Sequence, residues 1–63
     1  MLDENIEKLK LNDEITKILR RNKIVKIKQL TNKTKTNLKE IGLGGYQISE
    51  IEIKLQLEGF DLK

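Results

Sequence analysis

Three of the four glycines lie close together, at positions 42, 44 and 45, directly before a segment of helical periodicity that starts at Tyr46. Glycine supplies the positive φ that a sharp reversal of the chain needs, so this cluster predicts a hairpin between two helices. The first backbone N–H groups of a helix have no intrahelical partner, and the helix dipole favours negative charge beside them. The sequence Gly42-Leu43-Gly44-Gly45-Tyr46-Gln47 therefore predicts a backbone receptor for phosphate.

A block of basic residues is the second feature that could bind phosphate. Between Glu14 and Glu40 the chain carries nine basic side chains and no acid, although its net charge is only +3. This segregation predicts a strongly positive part of the surface. Two interpretations stay open: a surface that faces a polyanion, which the length of the block favours, and a set of solvated lysines on amphipathic helices. The basic residues are Lys17, Arg20, Arg21, Lys23, Lys26, Lys28, Lys33, Lys35 and Lys39.

The composition argues against catalysis and against a resident cofactor. Without Cys or His, the chain lacks the usual zinc ligands and the usual general base. Glu50 and Glu52 fall on different sides of the predicted last helix, so they cannot act together as an acid and base pair. Asp3, Glu4 and Glu7 lack the spacing of a Ca²⁺ loop. We therefore expect a protein that is not an enzyme and has no cofactor and no metal.

Neither a membrane span nor a signal peptide is expected. No apolar run approaches the roughly 18 residues that a span requires. Residues 1–5 have neither the basic start nor the apolar core of a signal peptide. We expect a cytoplasmic protein with no membrane partner, and Met1 indicates a whole small protein. One Tyr and one Phe offer little aromatic surface for stacking single-stranded nucleic acid.

The spacing of apolar residues predicts a compact all-α bundle of four to five short helices that contains a helix-hairpin-helix. We expect one domain over residues 1–63, because a chain of this length cannot form two cores. Leu2, Ile6 and Leu9 recur at helical spacing and predict a short first helix. Acidic residues early and lysines late in this segment suit the helix dipole.

A second helix is predicted to run to about Asn22, capped by the side chain of Asn12 or Asp13. Residues 24–27 form a β-branched patch that is too short for a paired strand, so we expect a buried connector. This connector leads into a one-turn helix near Ile27–Thr31. The side chains predicted to be buried here are Ile15, Ile18, Leu19 and Leu30.

The hairpin joins a short helix, capped by Thr34 or Thr36, to a last helix that runs from about Gly45 to Glu58. Gly59 is predicted to end the last helix, with Phe60 folded back onto Leu55. The side chains predicted to be buried are Leu38 and Ile41 in the short helix and Ile48, Ile51 and Leu55 in the last helix.

The last helix also carries apolar residues on its other side. Tyr46, Ile53 and Leu57 form a second stripe almost opposite the first. One interpretation is that the first helix covers part of this stripe through Leu2 and Ile6. The other is a surface for a protein partner or for self-association.

Apolar, Thr and Gly positions follow one another in a recognisable order over nearly the whole chain. They are Asn5-Ile-Glu-Lys-Leu-Lys-Leu11, Ile18-Leu19, Ile24, Leu30-Thr31, Thr34, Leu38, Ile41-Gly-Leu-Gly44, Glu50-Ile51, Leu55 and Gly59. This order resembles the C-terminal domain of the bacterial RNA polymerase alpha subunit. The resemblance implies a compact all-α domain with a helix-hairpin-helix. It also implies a role in transcription, in which family members grip the minor groove of DNA and dock against activators or sigma factors.

The residues that contact DNA in that family are mostly replaced here. Glu14 aligns with the main minor-groove arginine of the family, and Lys17 aligns with an asparagine. Tyr46 and Gln47 align with a Lys-Ser pair in the hairpin, which is one residue shorter in this chain. Gly44 matches. The resemblance therefore implies backbone contacts through the hairpin glycines, which need no particular side chain.

Two functions from different classes are consistent with these patterns. The first is a non-catalytic module of the transcription machinery that binds double-stranded DNA with low affinity and strong dependence on salt. The alternative is a protein-interaction module of the same fold that binds an RNA polymerase subunit or a transcription regulator and has lost specific DNA binding. Self-association would give a weak homodimer. The predicted DNA-binding residues are Lys17, Arg20, Arg21, Gly42, Gly44, Gly45, Tyr46 and Gln47, and the predicted partner surface is Ile53 and Leu57.

Overall fold

The computed structural model describes residues 4–63, which fold into four α-helices and one 3₁₀ turn with no β-strand in that range. The predicted all-α bundle of short helices is thereby confirmed. Leu2, which belongs to the predicted first helix, lies outside the described residues. The elements are the 3₁₀ turn Ile6–Leu9, α1 (Asp13–Arg21), α2 (Ile27–Thr31), α3 (Lys35–Glu40) and α4 (Gly45–Leu57).

Short polar side chains fix where the helices begin. The Asn12 side-chain oxygen accepts a hydrogen bond of 2.9 Å from the backbone N–H of Ile15, so Asn12 rather than Asp13 caps α1. Thr34 rather than Thr36 caps α3, because its hydroxyl accepts from the N–H of Asn37 at 3.1 Å. The two alternatives left open by the sequence are therefore resolved.

Three helices end with the same pattern of backbone hydrogen bonds. In each, a residue in the left-handed conformation follows the helix, and the N–H of the next residue donates to the carbonyl five positions earlier. Glycine occupies two of the left-handed positions, but a lysine occupies the third. At these three helix ends the left-handed residues are Lys23 (φ 63°), Gly42 (φ 109°) and Gly59 (φ 85°). The hydrogen bonds that span five positions join Ile24 to Leu19, Leu43 to Leu38 and Phe60 to Leu55.

Lys23 should cost stability, because a left-handed conformation places the Cβ of an L-residue close to a carbonyl oxygen. We expect Lys23→Gly to raise the free energy of unfolding by about 1 kcal/mol. Lys23→Ala removes the same charge but keeps a Cβ, so it should give no such gain. Urea unfolding followed by circular dichroism measures both variants. Equal stability of the two variants would mean that charge, not backbone strain, sets the effect.

The core contains apolar side chains from every helix. Ile18 and Ile41, which the sequence predicts to be buried, are only partly buried because they lie at the edge of the core. Leu43 in the hairpin is a core residue that the helical pattern did not identify. α4 ends at Leu57, one residue before the predicted Glu58, which instead caps the helix. The core residues are Ile6, Leu9, Leu11, Ile15, Leu19, Ile24, Ile27, Leu30, Leu38, Leu43, Ile48, Ile51 and Leu55.

The connector between α1 and α2 is buried only in part, since Ile24 is buried, Val25 is half-buried and Lys26 is exposed, and it also has a backbone partner. The N–H of Ile6 donates to the carbonyl of Val25 at 2.9 Å, and the N–H of Ile27 donates to the carbonyl of Glu4 at 2.7 Å. These bonds form a single antiparallel bridge between two segments that are not strands. The prediction that the β-branched patch is too short for a paired strand is therefore confirmed, although one pair of backbone bonds, which needs only three residues on each side, joins it to the N-terminal segment.

Candidate nucleic-acid interface

The hairpin between α3 and α4 is held by one glycine and one leucine. Gly42 has a φ of 109° and allows the chain to turn out of α3. Leu43, which is 3% exposed, then inserts its side chain into the core. Gly44 precedes α4 with a φ of −81°, which any residue can adopt. The prediction that the glycine cluster supplies positive φ is thus right for Gly42 and wrong for Gly44 and Gly45.

The start of α4 presents backbone donors to solvent. The N–H of Gly44 donates to the Gln47 side-chain oxygen at 2.9 Å. Within residues 4–63 the N–H groups of Gly45, Tyr46 and Gln47 have no hydrogen-bond partner. Three adjacent donors at the positive end of a 13-residue helix are a favourable place for an anion.

The fold itself does not require glycine at positions 44 and 45. A Cβ added to Gly45 would meet no atom within 4 Å, and one added to Gly44 would meet only the Gln47 side-chain oxygen, at 3.9 Å. Glycine within a helix costs about 1 kcal/mol relative to alanine, so Gly45 lowers the stability of α4, whereas Gly44 is the N-cap, where glycine is well tolerated. What they provide is open access to the three N–H groups.

Glu14 of α1 lies beside these donors. The side-chain amide of Gln47 donates to Glu14 Oε1 at 3.2 Å, across 33 positions of sequence. The same Gln47 side chain accepts from Gly44, so it joins the hairpin to the first turn of α1. A carboxylate near the receptor repels phosphate, because like charges a few ångströms apart interact unfavourably even near water.

The predicted basic residues of α1 divide between two sides of the helix. At 100° per residue, Arg21 lies about 20° and Lys17 about 60° from Glu14 around the helix. Arg20 lies about 120° away, and its guanidinium contacts Glu7 Oε2 at 2.6 Å. Lys17 and Arg21 thus share the Glu14 side with the hairpin. The exposed pair of Arg20 is worth no more than about 1 kcal/mol, so DNA contact by Arg20 stays a prediction.

The remaining cations of the basic block are spread over several elements. Lys35 contacts Glu52 at 3.5 Å and joins α3 to α4. The other basic side chains of the block form no ion pair within the part of the chain that the structure describes. Those that follow α1 are Lys23, Lys26, Lys28, Lys33 and Lys39.

A separate ionic cluster lies at the other end of α4. Lys8 contacts Glu4 at 2.6 Å and Glu58 at 3.7 Å. The hydrogen bond from Lys8 lowers the pKa of Glu4 to about 2, and the same bond raises the pKa of Lys8. Because Glu58 caps the C-terminus of α4, this cluster is about 20 Å along the helix from Gly45. It takes no part in the candidate interface.

The chain matches no protein-family model and no curated protein. Its resemblance to the polymerase alpha C-terminal domain therefore stays an expectation from the residues alone. Among the described helices, none has both the length and the apolar character needed to cross a bilayer. The geometry of the hairpin and of the Glu14 side of α1 carries the functional interpretation.

Proposed function

We propose that this protein is a non-catalytic module that binds double-stranded DNA in or around transcription. The observation that carries the proposal is the set of three unpartnered backbone donors at the start of α4, at Gly45, Tyr46 and Gln47. Phosphate oxygens are the matching acceptors on DNA. The resemblance to the polymerase alpha C-terminal domain supports the connection with transcription.

Side chains around the hairpin set the strength of this binding. Lys17 and Arg21 are exposed on the Glu14 side of α1, and they can contact phosphates next to those held by the hairpin. Tyr46 is 86% exposed and can pack against a sugar. Glu14 opposes the phosphate contacts, because its carboxylate repels the phosphate charge. The balance favours weak binding without a strong sequence preference, because backbone donors and lysines do not distinguish bases.

Titration with duplex DNA should reveal this weak, salt-dependent binding. We expect a Kd of about 10⁻⁴ to 10⁻⁶ M at moderate salt. If two to three phosphates are neutralised, the affinity should fall about ten- to fortyfold between 50 and 200 mM salt. Backbone amide shifts measured by NMR should be largest at residues 42–47 and 17–23.

A pair of lysine variants provides a matched control for the titration. Lys17→Gln should weaken binding several-fold, because Lys17 lies on the Glu14 side of α1. Lys8→Gln makes the same change in charge next to Glu58, at the far end of α4, and should leave the affinity nearly unchanged. If duplex DNA shifts no hairpin amide at low salt, the phosphate receptor is disproved.

The alternative function is a protein-interaction module that binds an RNA polymerase subunit or a regulator. One observation favours it: Tyr46, Ile53 and Leu57 are 86%, 54% and 76% exposed on α4. Large apolar side chains grouped on one surface are typical of protein contacts. This function takes precedence if the hairpin fails to respond to DNA.

A further inference from the structure

One side of α4 is apolar and exposed although the opposite side is packed in the core. Tyr46, Ile53 and Leu57 all lie on this exposed side. Glu50 falls in the same row, so the row consists of positions 46, 50, 53 and 57, separated by four, three and four residues. This is the spacing of the contact positions in a two-helix coiled coil.

The row has the same spacing when it is read backwards. A second copy of α4 that runs antiparallel therefore presents a matching row. About a two-fold axis, Tyr46 lies opposite Leu57 of the second copy, and Ile53 lies opposite the aliphatic part of Glu50. Such self-complementarity is what a two-fold interface between identical chains requires.

Charge on the flank of the row selects the second copy and the antiparallel direction. Glu50 and Lys54 form no ion pair in the described part of the chain. Lys54 lies on the flank of the row that is nearest to Glu50, and antiparallel helices bring equivalent flanks together, so each Lys54 approaches Glu50 of the other copy. Parallel helices would instead place this flank against Ser49 and Gln56, which carry no charge.

We propose that the protein forms a homodimer through antiparallel pairing of α4. The interface is small, since it consists of one short row per chain, and we expect a Kd on the order of 10⁻⁴ M. The two hairpins lie at opposite ends of the paired helices. The row shares Tyr46 with the candidate nucleic-acid interface, but the proposal does not depend on DNA binding, because Glu50, Ile53, Lys54 and Leu57 take no part in that interface.

Charge reversal tests the direction of pairing. Glu50→Lys places two lysines face to face across each contact, and Lys54→Glu places two glutamates there, so each variant alone should dimerise at least several-fold more weakly. Mixed together, the two variants should form a heterodimer at least as tight as the wild-type homodimer. Both variants stay net positive, so overall charge cannot cause this preference.

Sedimentation equilibrium over about a hundredfold range of concentration measures these associations. The wild-type protein should shift from monomer to dimer, and the variant with Ile53→Gln and Leu57→Gln should remain a monomer with unchanged helix content. A wild-type protein that stays monomeric over the whole range would overturn the proposal. So would a mixture of the two charge variants that associates no better than each alone. If the double Gln variant loses helix content, the charge variants still decide the question.

Discussion

Replacing Glu14 with arginine should tighten the binding of duplex DNA about tenfold or more. The Glu14 carboxylate is held 3.2 Å from the Gln47 side-chain amide, next to the exposed donors of α4. Removing a negative charge and adding a positive one beside phosphate readily exceeds the 1.4 kcal/mol that a tenfold change requires. An arginine here can also enter the minor groove of DNA, whose negative potential is stronger where the groove is narrow. The variant should lose about 0.3–1 kcal/mol of stability, because the negative charge of Glu14 in the first turn of α1 interacts favourably with the helix dipole.

Asp13→Arg is the matched control for this prediction. It makes the same change in net charge in the same helical turn, but it lies 100° further round α1 than Glu14. Its effect on DNA affinity should be clearly smaller. Fluorescence anisotropy of a labelled duplex at fixed salt gives the affinities, and circular dichroism checks the fold. An unchanged affinity in Glu14→Arg, with the fold intact, would mean that this surface does not meet DNA.

Gly45→Glu should change stability and DNA binding in opposite directions. A Cβ added at Gly45 meets no atom within 4 Å, and glutamate is a better helix former than glycine. With the gain from an acid at the helix N-terminus, the free energy of unfolding should rise by about 1 kcal/mol. The same carboxylate lies at the phosphate receptor, so the affinity for duplex DNA should fall about tenfold or more.

Gly45→Ala separates the two effects. It should give a similar gain in helix propensity, but it adds only a methyl group and no charge, so most of the DNA affinity should remain. Urea unfolding measures stability, and anisotropy measures binding. A Gly45→Glu variant that binds DNA as well as Gly45→Ala does would contradict a role for these N–H groups in holding phosphate.

The helices could be predicted from the sequence because short-range chemistry decides where they begin and end. Asn12 and Thr34 are strong caps, and Gly59 ends α4 where the pattern places its end. The left-handed Lys23 could not be foreseen, because local preference disfavours lysine there. Burial of the next side chain, Ile24 at 2% exposed, compensates for that cost. Tertiary packing overrides local preference at this position.

The site was predictable only where it depends on local backbone. The exposed donors at the start of α4 follow from the glycines and the helical period. The contact of Glu14 with Gln47 joins distant parts of the sequence, so only the resemblance placed Glu14 near the hairpin. The pairing of Arg20 with Glu7 likewise depends on how the 3₁₀ turn packs against α1. No periodicity in the sequence contains that information.

The antiparallel bridge between Asn5 and Lys26 has a consequence for the order in which the chain folds. The bonds that end α1, α3 and α4 each span five residues, so they form without closing a long loop. The bridge joins segments about 20 residues apart, and the entropy lost in closing that loop must be offset before its contacts contribute. We therefore expect the helices and the hairpin to form first and the N-terminal segment to dock last.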